Sequence, residues 1–250
     1  MEQTWDYLHC HWSITDSDLC ATHVHISFEP PKIYTDEEIR RIVLAAIHFE
    51  TAFEVLVPAS RRGNEHAKSN WLDGDKLGRE SRSRPDSMAA ISRAANLEQM
   101  IQLMQPLDDR NYCWNFNNLF ELKRTIEFRK PPASTTADQA LNWAELALSF
   151  VQASVVYGSL DRLRRITSNV RGLRWFLEQA HVPGMNEPAR LQKIFEGKAH
   201  HAMREPRAVP KKADMTPREE RVWQAENDQQ ISADRTRILM FARTVQAPYW

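Results

Sequence analysis

Two short segments far apart in the chain alternate apolar and polar side chains with period two, and this limits the fold more than any other feature. In Thr22–Phe28, Val24, Ile26 and Phe28 fall on one side while His23, His25 and Ser27 fall on the other. In Arg124–Arg129, Ile126 and Phe128 face one way while Thr125, Glu127 and Arg129 face the other. Period-two alternation is the pattern of a half-buried strand. Should both polar rows share one sheet face, two imidazoles, a carboxylate and a guanidinium meet there. Either row alone also suits a sheet face that simply meets water. The pair together carries the weight.

A chain of 250 residues can bury one good core and carry an appendage. Lysine plus arginine equal aspartate plus glutamate at 33 each, so no overall field draws the protein to nucleic acid or an anionic membrane. Nucleic-acid binding through the arginine-rich loop and a basic linker is the least supported reading. No apolar run is long enough for a membrane span, and the N-terminus shows no signal-peptide core. Cys10, Cys20 and Cys113 are odd in number and scattered, which suits a reducing, cytoplasmic compartment. No Cys-x-x-Cys spacing supports structural zinc.

Residues 1–20 are polar and aromatic without a clear period, and no element is expected there. Thr35-Asp36-Glu37-Glu38 has the form of a capping box, and apolar residues from Ile39 to Leu56 follow at helical spacing up to Pro58. Ser60–Pro85 is expected to be a long polar loop, with Ser87 capping a second amphipathic helix that carries Met88 to Met104. Tyr112–Arg129 holds two strand-like runs around a turn-prone Asn115–Asn118. Thr135 or Thr136 caps a long helix to Val156, and shorter helices are expected over Leu160–Ala180 and Glu187–Phe195. The expected organisation is an α+β core over 1–196, with an antiparallel sheet backed by helices. A basic, proline-containing linker over 197–215 and a helical tail over 216–250 follow.

Imidazole and carboxylate are ordinary ligands of divalent metals, magnesium favouring oxygen. One carboxylate with two imidazoles is an incomplete cage for Mg²⁺, which would keep waters or engage nucleotide phosphates. The Arg129 guanidinium can hold a carboxylate or phosphate through two parallel hydrogen bonds. Pro58-Ala59-Ser60-Arg61-Arg62-Gly63-Asn64 opens the loop with two guanidiniums and an amide, chemistry suited to a polyphosphate or acyl phosphate. Taken alone it also reads as a plain basic turn. Neither a glycine-rich phosphate loop nor a nucleophile elbow occurs.

The order of H-V-H-I-S at 23–27, P-A-S-R-R-G-N at 58–64, R-T-I-E-F-R at 124–129 and T-T-A-D-Q-A-L-N-W-A-E-L at 135–146 resembles the amidoligases. That family belongs to the glutamine-synthetase-like superfamily and is abundant in fungi; the resemblance spans roughly residues 20–180. In glutamine synthetases a similar His-x-His-x-Ser strand and a later Arg-Ile-Glu-x-Arg strand line the nucleotide and metal site. The resemblance implies a partial glutamine-synthetase-like catalytic core. It implies His23 and Glu127 as metal ligands, and His25, Ser27 and Asn64 as nucleotide contacts. Arg129, Arg61 and Arg62 become catalytic clamps on phosphate or substrate carboxylate.

The implied reaction is ATP- and Mg-dependent (or Mn-dependent) joining of a small-molecule or peptide carboxylate to an amine, through an acyl phosphate. The family's Glu-x-Glu strand has no counterpart in the short stretch before His23. The resemblance therefore leaves two expectations open. One is a working ligase, possible as a homo-oligomer or together with a full-length relative. The other is a non-catalytic amidoligase-like binding partner.

Overall fold

The computed structural model describes residues 2–198 apart from 18–19, 30, 59–60, 63, 75, 79–82 and 181–187. All of these lie in the compact unit Met1–Glu205. From residue 199 onward, the expected linker and helical tail lie outside the described residues.

Helix α1 (Glu2–His11) forms where the sequence showed no period, and it buries none of its residues. Strand β1 (Val24–Ile26) follows, then α2 (Asp36–Leu56). The capping box forms as expected: the Glu38 amide donates to Thr35 Oγ1 at 3.2 Å and the Thr35 amide donates to Glu38 Oε2 at 2.8 Å. Asp36, Glu37 and Glu38 place negative charge at the positive end of the helix dipole. From Ile42 to Leu56 the helix is buried on every side, making it the axis of the core.

The second helix departs from expectation. Ser83, not Ser87, is its N-cap, and Pro85 occupies the first turn, where a missing amide costs nothing. Ser87 is buried within α3 (Arg84–Arg93). The chain then breaks at Ala94–Asn96, and Asn96 caps a separate α4 (Leu97–Met104). Met88, Ile91, Met100, Ile101 and Met104 fill the core, as their spacing indicated.

Strands β2 (Trp114–Asn115) and β3 (Ile126–Phe128) flank a 3₁₀ turn at Asn117–Phe120. The sheet is antiparallel in the order β1-β3-β2. Thr136 caps α5 (Ala137–Tyr157), and α6 (Leu160–Leu163), α7 (Val170–Glu178) and α8 (Pro188–Phe195) complete the described chain. At the end of α5, Gly158 meets the Arg41 carbonyl so closely that a Cβ would lie 2.7 Å from its oxygen. The fold is α+β, mostly helical, with a small sheet.

One face of that sheet explains how the strands are held. Val24, Phe128 and Trp114 are register partners across the three strands. Trp114 stacks on Phe128 at 4.3 Å between ring centres and on Phe150 of α5 at 4.8 Å. Phe53 of α2 sits 5.5 Å from Phe128 and 5.0 Å from Phe150. Strands this short do not persist alone in water; burial of this aromatic face against α2 and α5 holds them. The opposite row is left for polar side chains.

Candidate functional site

The polar row is centred on Glu127. Strand register sets His25 opposite it on β1 and Asn115 opposite it on β2, so all three side chains leave the same face. Its Oε1 atom collects three neighbours. Arg129 Nη1 donates to it at 2.7 Å, His23 Nδ1 lies 3.1 Å away and His25 Nε2 lies 3.4 Å away. Its Oε2 accepts a hydrogen bond from Asn115 Nδ2 at 2.8 Å. The structure thus brings His23, His25, Glu127 and Arg129 together, while Ser27 lies just past the end of β1 and is exposed.

Glu127 is only 3 % exposed, yet it is the anion of the group. Burial pushes its carboxyl up, but hydrogen bonds with His23 and Asn115 and the Arg129 charge outweigh burial and hold it down at about 2. The imidazoles are more open. Side-chain exposure is 34 % for His23 and 44 % for His25, whose Nδ1 lies 3.2 Å from Thr125 Oγ1.

Arg129 is fixed from behind. Arg61 is buried, and its Nη2 and Nε donate to the carbonyls of Arg129 at 2.8 Å and Lys130 at 3.2 Å. Arg62 donates to the carbonyls of Val57 and Val55 at the end of α2. Asn64 accepts from the His66 amide at 2.9 Å, shaping the turn whose His66 carbonyl receives Arg129 Nε at 3.4 Å. These three loop residues therefore engage the main chain around the site, and Arg61 sits directly beneath Arg129.

Some partners gave no signal in the sequence. Asn115 is held by Gln105, whose Nε2 donates to Asn115 Oδ1 at 2.9 Å while its Oε1 accepts the Phe116 amide at 3.0 Å. Asn111 Oδ1 lies 3.5 Å from Arg129 Nη2. Behind the sheet, Lys130 is fully buried and pairs with Glu54 of α2. Glu50, one turn earlier, is 1 % exposed, and neither of its oxygens has a hydrogen-bond partner among the described residues.

The donor set favours an anion over a metal. Beyond its links to Glu127 and His23, Arg129 has two long contacts, 3.4 Å to the His66 carbonyl and 3.5 Å to Asn111, and its fork geometry matches a phosphate or carboxylate. A divalent ion at Glu127 Oε1 would sit against the permanent positive charge of Arg129, whose Nη1 already donates to that oxygen and touches His23 Nδ1. Among the described residues no cluster of three or more His, Cys, Asp or Glu side chains is arranged to hold a metal ion. The residues as arranged do not fit one.

A helical α+β core with a small antiparallel sheet, carrying a His-x-His strand beside a Glu-x-Arg strand, defines the class of protein. The family model described as "putative amidoligase enzyme" matches residues 1–151, more than half of the chain. The chain belongs to that family. No curated protein and no solved structure matches it. No helix among the described residues is long and apolar enough to cross a membrane.

Proposed function

We propose that the polar face of the sheet is the substrate site of an ATP-dependent ligase that joins a carboxylate to an amine. The observation that carries this reading is the convergence of His23, His25 and Arg129 on one Glu127 oxygen, at 2.7–3.4 Å, within the family-matched residues. A carboxylate oxygen of the acyl donor attacks the γ-phosphorus of ATP. The bond to the bridging oxygen breaks and ADP leaves. The amine nitrogen then attacks the acyl carbon, the carbon–oxygen bond to phosphate breaks, and an amide remains. The nitrogen gives up a proton in that step, and His25, the more exposed imidazole, is its candidate acceptor.

Phosphoryl transfer is catalysed mainly by positioning and charge neutralisation. Arg129 supplies a permanent cation for the phosphate or the substrate carboxylate, with Glu127 and Arg61 setting its direction. Magnesium that travels with ATP enters as part of that substrate. The acyl donor and amine are small molecules or peptide ends.

The test uses the full chain with Mg·ATP, hydroxylamine as the amine and a panel of carboxylates. The expected result is hydroxamate with ADP and phosphate in equal amounts, lost in Arg129→Ala. Turnover unchanged in both Arg129→Ala and His25→Ala would remove this face from the reaction.

One observation favours a second reading, a family member that binds a partner without turning over. β1 ends the sheet, so one side of its backbone faces no neighbouring strand among the described residues. Such an edge can accept a strand from a second copy or a larger relative. Calorimetry with Mg·ATP separates the readings, since a binding isotherm supports the ligase and silence supports the partner.

A further inference from the structure

We infer that Arg129 is the resident cation of this face, closing it to a divalent metal ion, and that removing Arg129 opens a metal site built from His23, His25 and Glu127. This goes beyond the ligase reading and stands or falls separately from it.

The geometry carries the argument. Nη1 of Arg129 lies 2.7 Å from Glu127 Oε1 and 3.3 Å from His23 Nδ1, so it fills the place from which a metal would bridge those two atoms. His25 Nε2 lies 3.4 Å from the same oxygen, so two imidazoles adjoin one carboxylate. Both imidazoles lie within 3.4 Å of the carboxylate oxygen, and a guanidinium nitrogen touches both that oxygen and His23 Nδ1. A guanidinium does not surrender its proton in a protein, so the charge is permanent and repels an incoming dication.

The pair is also locked in place. Arg129 and Glu127 are alternate residues of one segment, so they leave the same face. Arg61 holds the main-chain carbonyls of Arg129 and Lys130, and Asn115 holds Glu127 Oε2. Swinging the guanidinium aside would break its 2.7 Å hydrogen bond to the Glu127 carboxylate that this frame holds in position. Two imidazoles with one carboxylate is a ligand set that zinc and manganese accept. The chemistry for a metal is present; the vacancy for it is not.

The experiment titrates Mn²⁺ alone into the full chain and reads free Mn²⁺ by electron paramagnetic resonance. Wild type should bind Mn²⁺ no differently from His23→Ala and Glu127→Gln. Arg129→Met keeps an apolar stem and should gain one Mn²⁺ per chain, at least about tenfold tighter than wild type. The gain should vanish when Glu127→Gln is added. The inference is overturned if wild type holds one Mn²⁺ that His23→Ala or Glu127→Gln releases. It is equally overturned if Arg129→Met, shown folded by circular dichroism, binds no tighter than wild type. If Arg129→Met does not fold, the wild-type comparison decides alone: equality with His23→Ala upholds the closed site, and loss in His23→Ala refutes it. Hydroxamate formation plays no part in either arm, so failure of the ligase reading leaves this result untouched.

Discussion

Glu127 Oε1 and Arg129 Nη1 meet at 2.7 Å across two residues of one segment, making an ion pair that the local backbone itself presents. Because this pair is nearly buried, its charge state bears on folding as well as on binding. With a folded pKa of about 2 against an ordinary 4.5, Glu127 binds its proton less readily when folded than when unfolded. Its contribution is therefore complete above about pH 4.5 and drains away as pH falls through 2; it totals on the order of 3 kcal/mol. Urea unfolding between pH 6 and 2 should show Glu127→Gln well below wild type at pH 6, with the gap narrowing toward pH 2. A gap independent of pH would refute the linkage.

Glu50 should behave in the opposite sense. Burial, then repulsion from Glu54, push its carboxyl up to about 8 despite attraction from Lys130, so the folded protein holds Glu50 protonated at neutral pH. The unfolded chain releases that proton near pH 4.5. Stability consequently falls as pH rises from about 4.5 to 8, by several kcal/mol on an order-of-magnitude basis. Glu50→Gln keeps the neutral shape and should raise the melting temperature at pH 8 while leaving it nearly unchanged at pH 4.5. A lower melting temperature at pH 8 would count against a protonated Glu50.

Fully buried Lys130 pairs with Glu54, which is itself nearly buried. Lys130→Met strands the Glu54 charge and should cost about 3–5 kcal/mol in chemical denaturation. Adding Glu54→Leu should recover most of that loss, since an apolar pair of similar volume replaces a buried ionic one at little cost. Purely additive losses would show that the two side chains do not act together.

The Thr35 cap offers a smaller and cleaner test. Thr35→Ala removes the acceptor of the Glu38 amide and should destabilise the protein by about 1 kcal/mol, with no effect on Mn²⁺ or nucleotide binding. A loss of binding would imply that α2 transmits more than support.

Much of this arrangement could be read from residue order. Thr35-x-x-Glu38 identified its helix start because the cap is a local bond between near neighbours. The alternation around Val24 and Ile126 assigned side chains to faces because a strand has no other period. Lys130 is buried although nothing in the sequence singled it out. Its burial depends on Glu54, which is distant in the chain.

Other features depended on the assembled core. Gln105, Asn111 and Asn115 look like loop residues until the fold gathers them around Glu127 and Arg129. Glu50 carries no sequence sign of its burial, which follows only because α2 has no surface side there. Helix α1 escaped notice because it buries nothing, and a helix without an apolar face leaves no periodic trace.

Strand β1 is three residues long, and its brevity has a consequence for variation in this chain. If it slid one position along β3, an aliphatic side chain would stand beside the Glu127 carboxylate and both imidazoles would turn toward the Trp114–Phe128 stack. The connections on either side can lengthen or shorten without that penalty. For residues 22–26, length matters more than composition: a conservative exchange leaves the row intact, whereas a single insertion or deletion inverts it.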